Sequence, residues 1–143
     1  MSASKFLSKE DEQKIHTAIE DAEMFSSGEI RVHIEEQCKV DPLDRAAFIF
    51  AKLNMHKTKL RNGVLFYIAY KDHKLAILGD AGINSLVPDH FWNDIKDVMI
   101  PMFANGKYVD GICEGVRMAG EKLKAFFPLQ NNDQNELPNE ISY

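Results

Sequence analysis

Apolar residues recur along this chain at two periods, and the change from one to the other marks out its elements. Ile15, Ala18, Ile19 and Ala22 fall at helical spacing behind a capping-box-like start at Ser8 and Asp11, which predicts a first helix from Lys9 to Glu23. Ser26, Ser27 and Gly28 end it. In EIRVHIEE the period drops to two: Ile30, Val32 and Ile34 alternate with Arg31, His33 and Glu35, the signature of a strand over residues 29–36 with one well-buried face. Asp41 before Pro42 reads as an N-cap with proline in the first turn, and Ala46, Ala47, Phe50 and Ala51 give the stripe of a second helix ending near Met55. VLFYIAY, over residues 64–70, is an uninterrupted apolar run suited to a strand covered on both faces. Lys71, Asp72, His73 and Lys74 turn the chain into LAILGD, so the two runs are expected to form a hairpin whose second arm ends at Asp80.

Beyond Gly82 the helical period returns. Phe91, Ile95, Val98, Met99 and Met102 mark one helix, which Pro101 is expected to kink or split, and Ile112, Val116, Ala119, Leu123 and Phe126 mark a last long one. Helical spacing assigns Phe91, Trp92 and the nearby methionines to the core. Pro128 stops the chain's regular structure, and the polar remainder is expected to be a disordered tail over 128–143, leaving one α/β domain over 1–127. Two strands joined through a helix should lie parallel, with a right-handed crossover. The fold class that follows is a three-layer α/β/α sandwich around a small mixed sheet, Rossmann-like in outline.

That topology sends three turns to one sheet edge. Ser27, Gly28 and Glu29, then Arg61, Asn62 and Gly63, then Gly79, Asp80, Ala81 and Gly82 converge there, although the chain separates them by up to about fifty residues. Glu29 and Asp80 offer hard oxygens, Asn62 and Asn84 offer carbonyls, and the glycines let backbone carbonyls approach, a set suited to calcium or magnesium. Asp, Asn and Gly also crowd ordinary turns, so the residues alone leave open whether this edge holds an ion or is only a cluster of solvated turns.

The segments SSGEIRVHI, RNGVLFYIAYKDHKLAILGDAGIN and IPMFANGKYVDGICEGVRMAGEKL, in that order and spacing, resemble the TPM-domain family over residues 8–127. The family pattern falls on Ser27, Gly28, Glu29, Asn62, Gly63, Gly79 and Gly82, with Asp80 inside the glycine turn and Asp110 opening the last helix. What the resemblance implies is an α/β/α sandwich that binds a divalent metal, calcium ahead of magnesium, at apical loops. It gives Glu29, Asp80, Asn62 and Asp110 as metal ligands, with Ser27, Gly28, Gly63, Gly79 and Gly82 as loop backbone. At Asp110 a first-turn acid complementing the helix dipole is the competing explanation. The resemblance also carries weak acid phosphatase activity from some plant relatives. Many family members bear a signal peptide and membrane anchor, and MSASKFLSKEDEQ lacks the apolar stretch of the former, so a cytoplasmic, unanchored single-domain bacterial-type member is expected.

Phosphate chemistry requires an activated nucleophile or a metal-bound water. Neither Cys38 nor Cys113 stands at the spacing from an arginine that a cysteine-phosphatase loop needs, and no DxD pair or GxxxxGK loop occurs. Metal-assisted hydrolysis is the one enzymatic route left. A ligand-dependent binding or regulatory module therefore ranks first, with a weak metal-assisted phosphatase as the alternative. The formal charge of −5 supplies no basic footprint for nucleic acid, which leaves a protein partner or a small phosphorylated ligand. Lys57, Lys59 and Arg61 could draw an anion to the apical edge or simply face water.

Overall fold

The central strand of the sheet takes its place because it is an apolar run buried along its whole length. The structure, a computed structural model, describes residues 6–129 and 136–143. In it β1 (Glu29–Glu35) pairs parallel with β2 (Gly63–Ala69), and β2 pairs antiparallel with β3 (Lys74–Gly79), giving the order β1-β2-β3. All seven residues of β2 are buried. The helices are α1 (Lys9–Ala22), α2 (Pro42–Lys52), α3 (Ala81–Asn84), α4 (Asn93–Ala104) and α5 (Tyr108–Leu123), and a short 3-10 turn at Met55–Lys57 follows α2.

Strand periodicity divides the core into two layers. Val64, Phe66 and Ile68, with Ile30, Val32 and Ile34, face α1, α4 and α5 through Ile15, Ile19, Ile95, Met99, Ile112 and Val116. Leu65, Tyr67 and Ala69 face α2 through Ala46, Ile49 and Phe50. The three-layer α/β/α arrangement is thus present, with Phe91 and Trp92 packed into the first layer as their spacing predicts. Ser8 and Asp11 form the reciprocal capping box of α1, and the Asp41 carboxylate accepts from the Leu43 N–H at 2.9 Å to start α2.

Three expectations need correction. Pro101 lies inside α4 without splitting it: it falls in the final turn, and the carbonyl it leaves without a helical donor belongs to exposed Asp97. The glycine turn after β3 contains a short helix, α3, because the Asp80 side chain caps it by accepting from the Ala81 N–H at 2.7 Å. The largest correction concerns the tail. Residues 136–143 lie against the sheet: Ser142 pairs with β1 beside His33, and Leu137 is buried in the second core layer. Leu137, Ile141 and Tyr143 supply apolar surface that the polar composition around them conceals. Residues 130–135 of the predicted tail lie outside those described.

Candidate functional site

The predicted convergence at one sheet edge is present, knit by hydrogen bonds. Glu29 stands opposite Gly63, and Val64 opposite Gly79, so the starts of β1 and β2 and the end of β3 are level. The Glu29 N–H donates to the Asn62 carbonyl at 3.2 Å, the Asp80 N–H to the Gly63 carbonyl at 2.9 Å, and the Gly82 N–H to the Arg61 carbonyl at 2.9 Å. Asn62 Nδ2 donates to the Ser27 carbonyl at 3.0 Å, and Asn84 Nδ2 to the Gly79 carbonyl at 2.9 Å. The glycines are explained by contact. A Cβ on Gly28 would lie 2.8 Å from Leu123 Cδ1, and one on Gly82 would collide with the carbonyl oxygens of Leu60 and Arg61. Gly28, Asn62 and Gly82 thus have a structural reason to be what they are, whereas the Ser27 hydroxyl is buried with no hydrogen-bond partner among the described residues.

The acids at this edge have distinct fates. Asp80 is 5% exposed, and its two oxygens accept from Arg61 Nε and a terminal guanidinium nitrogen at 2.9 Å each. Arg61 holds a left-handed backbone, φ 51°, and its side chain is 48% exposed, so the cation on Asp80 faces water while the carboxylate does not. Glu29 is 4% exposed. Its Oε1 accepts from the Leu137 N–H at 2.7 Å and from the Glu136 N–H, while its Oε2 is buried with no donor among the described residues. Burial pushes the Glu29 carboxyl up to about 7, the two amides only partly opposing it and the Glu136 carboxylate adding to it. Glu23, just past α1, is likewise raised by burial to about 7, although its carboxylate accepts from the Ile30 N–H at 3.0 Å and bonds Asn139.

β1 and β3 flank β2, so Glu29 and Asp80 belong to strands about 9–10 Å apart and do not converge as one ligand pair. Asp110 is not at this edge. It opens α5 at the end where the Tyr108 hydroxyl lies 3.5 Å from His73 Nδ1 in the β2–β3 turn, roughly 20 Å along the helix from Leu123, which meets Gly28. The family pattern grouped Asp110 with the edge residues, but α5 runs back across the sheet and carries its first turn to the far side. Among the described residues no cluster of three or more His, Cys, Asp or Glu side chains is placed to hold a metal. Cys38 is buried with its thiol 3.2 Å from the Val40 carbonyl, and burial pushes the Cys113 thiol up, away from thiolate chemistry.

Sequence reasoning missed a polar group on the α2 face of β1. Glu35 accepts from Arg45 at 2.6 and 3.1 Å, from the Tyr67 hydroxyl at 2.7 Å, and stands 3.0 Å from His33 Nε2. Burial alone would raise its carboxyl, but these partners outweigh it and hold it down at about 2. Period-2 alternation marks these residues as polar, and an assumption that polar means exposed hid them.

The TPM domain model matches residues 1–122. The chain belongs to the TPM-domain family. Among solved structures it is similar to the BA42 protein of the psychrophilic bacterium Bizionia argentinensis, at 44% identity over 96% of this chain and 95% of that one, with a TM-score of 0.90. The N-terminal domain of a P. gingivalis protein matches at 19% identity and TM-score 0.72, covering 92% of this chain and 85% of that one. The N-terminal domain of the cg2496 protein of Corynebacterium glutamicum matches at 12% and 0.65, covering 96% and 81%. These two show the fold alone. No curated protein matches the chain. No helix among the described residues of this TPM domain is long and apolar enough to cross a membrane.

Proposed function

We propose that this TPM domain is a binding module that takes a divalent cation, calcium ahead of magnesium, at Asp80 on its apical edge, and that the ion acts by displacing Arg61. The observation that carries this reading is the Asp80–Arg61 pair: a nearly buried carboxylate, both oxygens directed at one half-exposed guanidinium. A guanidinium on a carboxylate occupies the place a hard cation would take. With a single carboxylate at hand, affinity belongs to the weak, millimolar end of calcium sites. Arg61 released by the ion would join Lys57 and Lys59 in a basic segment able to meet an acidic protein partner or a small phosphorylated ligand.

Calcium titration followed by backbone amide NMR tests this. Expected is a saturable response at Gly28, Asn62, Gly63, Asp80 and Gly82, with residues 71–74 at the opposite end of β2 and β3 unmoved. Arg61→Ala removes the competitor and should tighten binding several-fold, whereas Asp80→Asn keeps the helix cap and should abolish it. Absence of a saturable response in millimolar calcium would refute the reading. Chelator-sensitive hydrolysis of a phosphate ester, lost in Asp80→Asn, would put the phosphatase alternative ahead of it.

A further inference from the structure

β1 is an edge strand, and residues 136–143 cover the side of it turned away from β2. The backbone contact is sparse: the Ile34 N–H donates to the Ser142 carbonyl at 2.9 Å, and the Ser142 N–H to the Val32 carbonyl at 2.9 Å. Another edge donor, the Ile30 N–H, goes to the Glu23 carboxylate instead. Side chains supply the rest. Leu137 fills a pocket beside Gly63 and Met55, Glu29 accepts from the amides of Glu136 and Leu137, and Ser142 Oγ lies 2.9 Å from His33 Nδ1. This is strand addition to a sheet edge, with one apolar and one carboxylate anchor, carried out by the chain on itself.

The segment is an imperfect occupant. Glu29 Oε2 and Arg31 Nε are buried on β1 and have no hydrogen-bond partner among the described residues. Glu136 brings a second carboxylate against Glu29, which opposes the ionised form of Glu29 and leaves that form's Oε2 without a donor among the described residues. Glu140 stands close enough to Arg31 to act on its charge, without bonding that nitrogen. A groove of about 350 Å³ also remains between the segment and α1, lined by Lys9, Glu12, His16, Glu140 and Ile141 among others. Buried polar atoms without partners favour whatever competitor can satisfy them.

We infer that the free edge of β1 is a docking site for an extended segment of another protein, and that residues 136–143 are an internal occupant which such a partner displaces. The site selects for an apolar side chain in the Leu137 pocket, a hydrogen-bond donor in place of Glu136 to meet Glu29 Oε2, and a carboxylate reaching Arg31 Nε from near the position of Glu140. The internal segment competes as a tethered ligand at an effective concentration near the millimolar range, so the intact chain rejects weak peptides and yields to a better-matched one. The site lies on the opposite side of β2 from Asp80, and it stands or falls apart from the cation reading.

The test uses the chain of residues 1–143, either wild type or carrying Leu137→Asp with Ser142→Pro, which empty the pocket and remove the Ser142 N–H. A fluorescent peptide with the sequence of residues 136–143 should bind the double variant at least about tenfold more tightly than wild type by anisotropy, shifting the amides of Ile30, Val32 and Ile34. The same peptide carrying Glu136→Gln should bind several-fold more tightly still. Equal binding to both proteins, no binding to the folded double variant, or loss of the double variant's fold by circular dichroism would each overturn the inference, the last by making the segment part of the domain's own framework.

Discussion

Two glutamates on one face of β1 show how little the residue type decides. Glu29 and Glu35 sit six positions apart on the same strand, yet the first is raised to about 7 and the second held at about 2. Glu35 meets a guanidinium, a phenol and an imidazole. Glu29 meets two amides and another carboxylate, with one oxygen given no hydrogen-bond partner among the described residues. The signs of their linkage to stability are opposite. Glu35 stabilises the fold above its unfolded value near 4.5, and that contribution disappears as pH falls towards 2. Glu29 favours the fold while protonated, so its contribution is complete below about 4.5 and is lost as pH rises through about 7. Glu29→Gln keeps an oxygen for the two amides and gives Glu136 a donor. It should match wild type at pH 5 and exceed it by about 1–2 kcal/mol at pH 8 in urea unfolding. Parallel pH profiles for the two proteins would contradict this assignment.

At the scale of elements, the helical layer depends on small residues where helices approach. A Cβ on Gly120 of α5 would lie 2.9 Å from both the Cβ and the carbonyl oxygen of Ala22 on α1, and one on Gly111 would lie 2.7 Å from the Phe103 ring of α4. The Gly111 contact is with a side chain that can turn. The Gly120 contact is partly with backbone, which cannot yield without moving α1. Gly120→Ala should therefore destabilise by about 1–3 kcal/mol through overpacking, despite the roughly 1 kcal/mol that alanine gains over glycine within a helix. Thermal unfolding of the single variant measures the net sign. The periods that located α1 and α5 show which face is apolar, and Gly120 lies on the apolar face of α5; but the distance of closest approach depends on the partner helix, which the local sequence does not contain.

For the whole molecule, the outcome that most changes expectation is the docked C-terminal segment. Its composition argues for a tail whose removal leaves the melting temperature unchanged. The structure argues otherwise: Leu137 is 7% exposed, and the Tyr143 hydroxyl donates to Glu12 at 2.8 Å. Burying one leucine contributes about 1.5–3 kcal/mol, so a chain ending at residue 129 should remain folded but melt roughly 5–10 °C lower. An unchanged melting temperature would show that the contact contributes nothing to the stability of the domain.

Much of this architecture is written locally. The two hydrophobic periods, the caps at Ser8 and Asp41, the apolar run of β2 and the right-handed crossover determine the element order, the parallel and antiparallel pairings and the convergence of three turns on one edge. These follow from neighbours in sequence and from chirality, which the chain carries everywhere along its length. The partner of each acid at that edge was decided only by tertiary structure. Asp80 met Arg61 from a turn nineteen residues earlier, Glu29 met amides more than a hundred residues later, and Asp110 was carried to the opposite end by the direction of α5. A carboxylate's role depends on burial and on the nearest donor, and both are fixed by contacts between segments that no local pattern links. The same reason governs the segment 136–143: its few apolar residues are too sparse to predict order by themselves, and gain a place only because β1 offers an open edge with a pocket beside it.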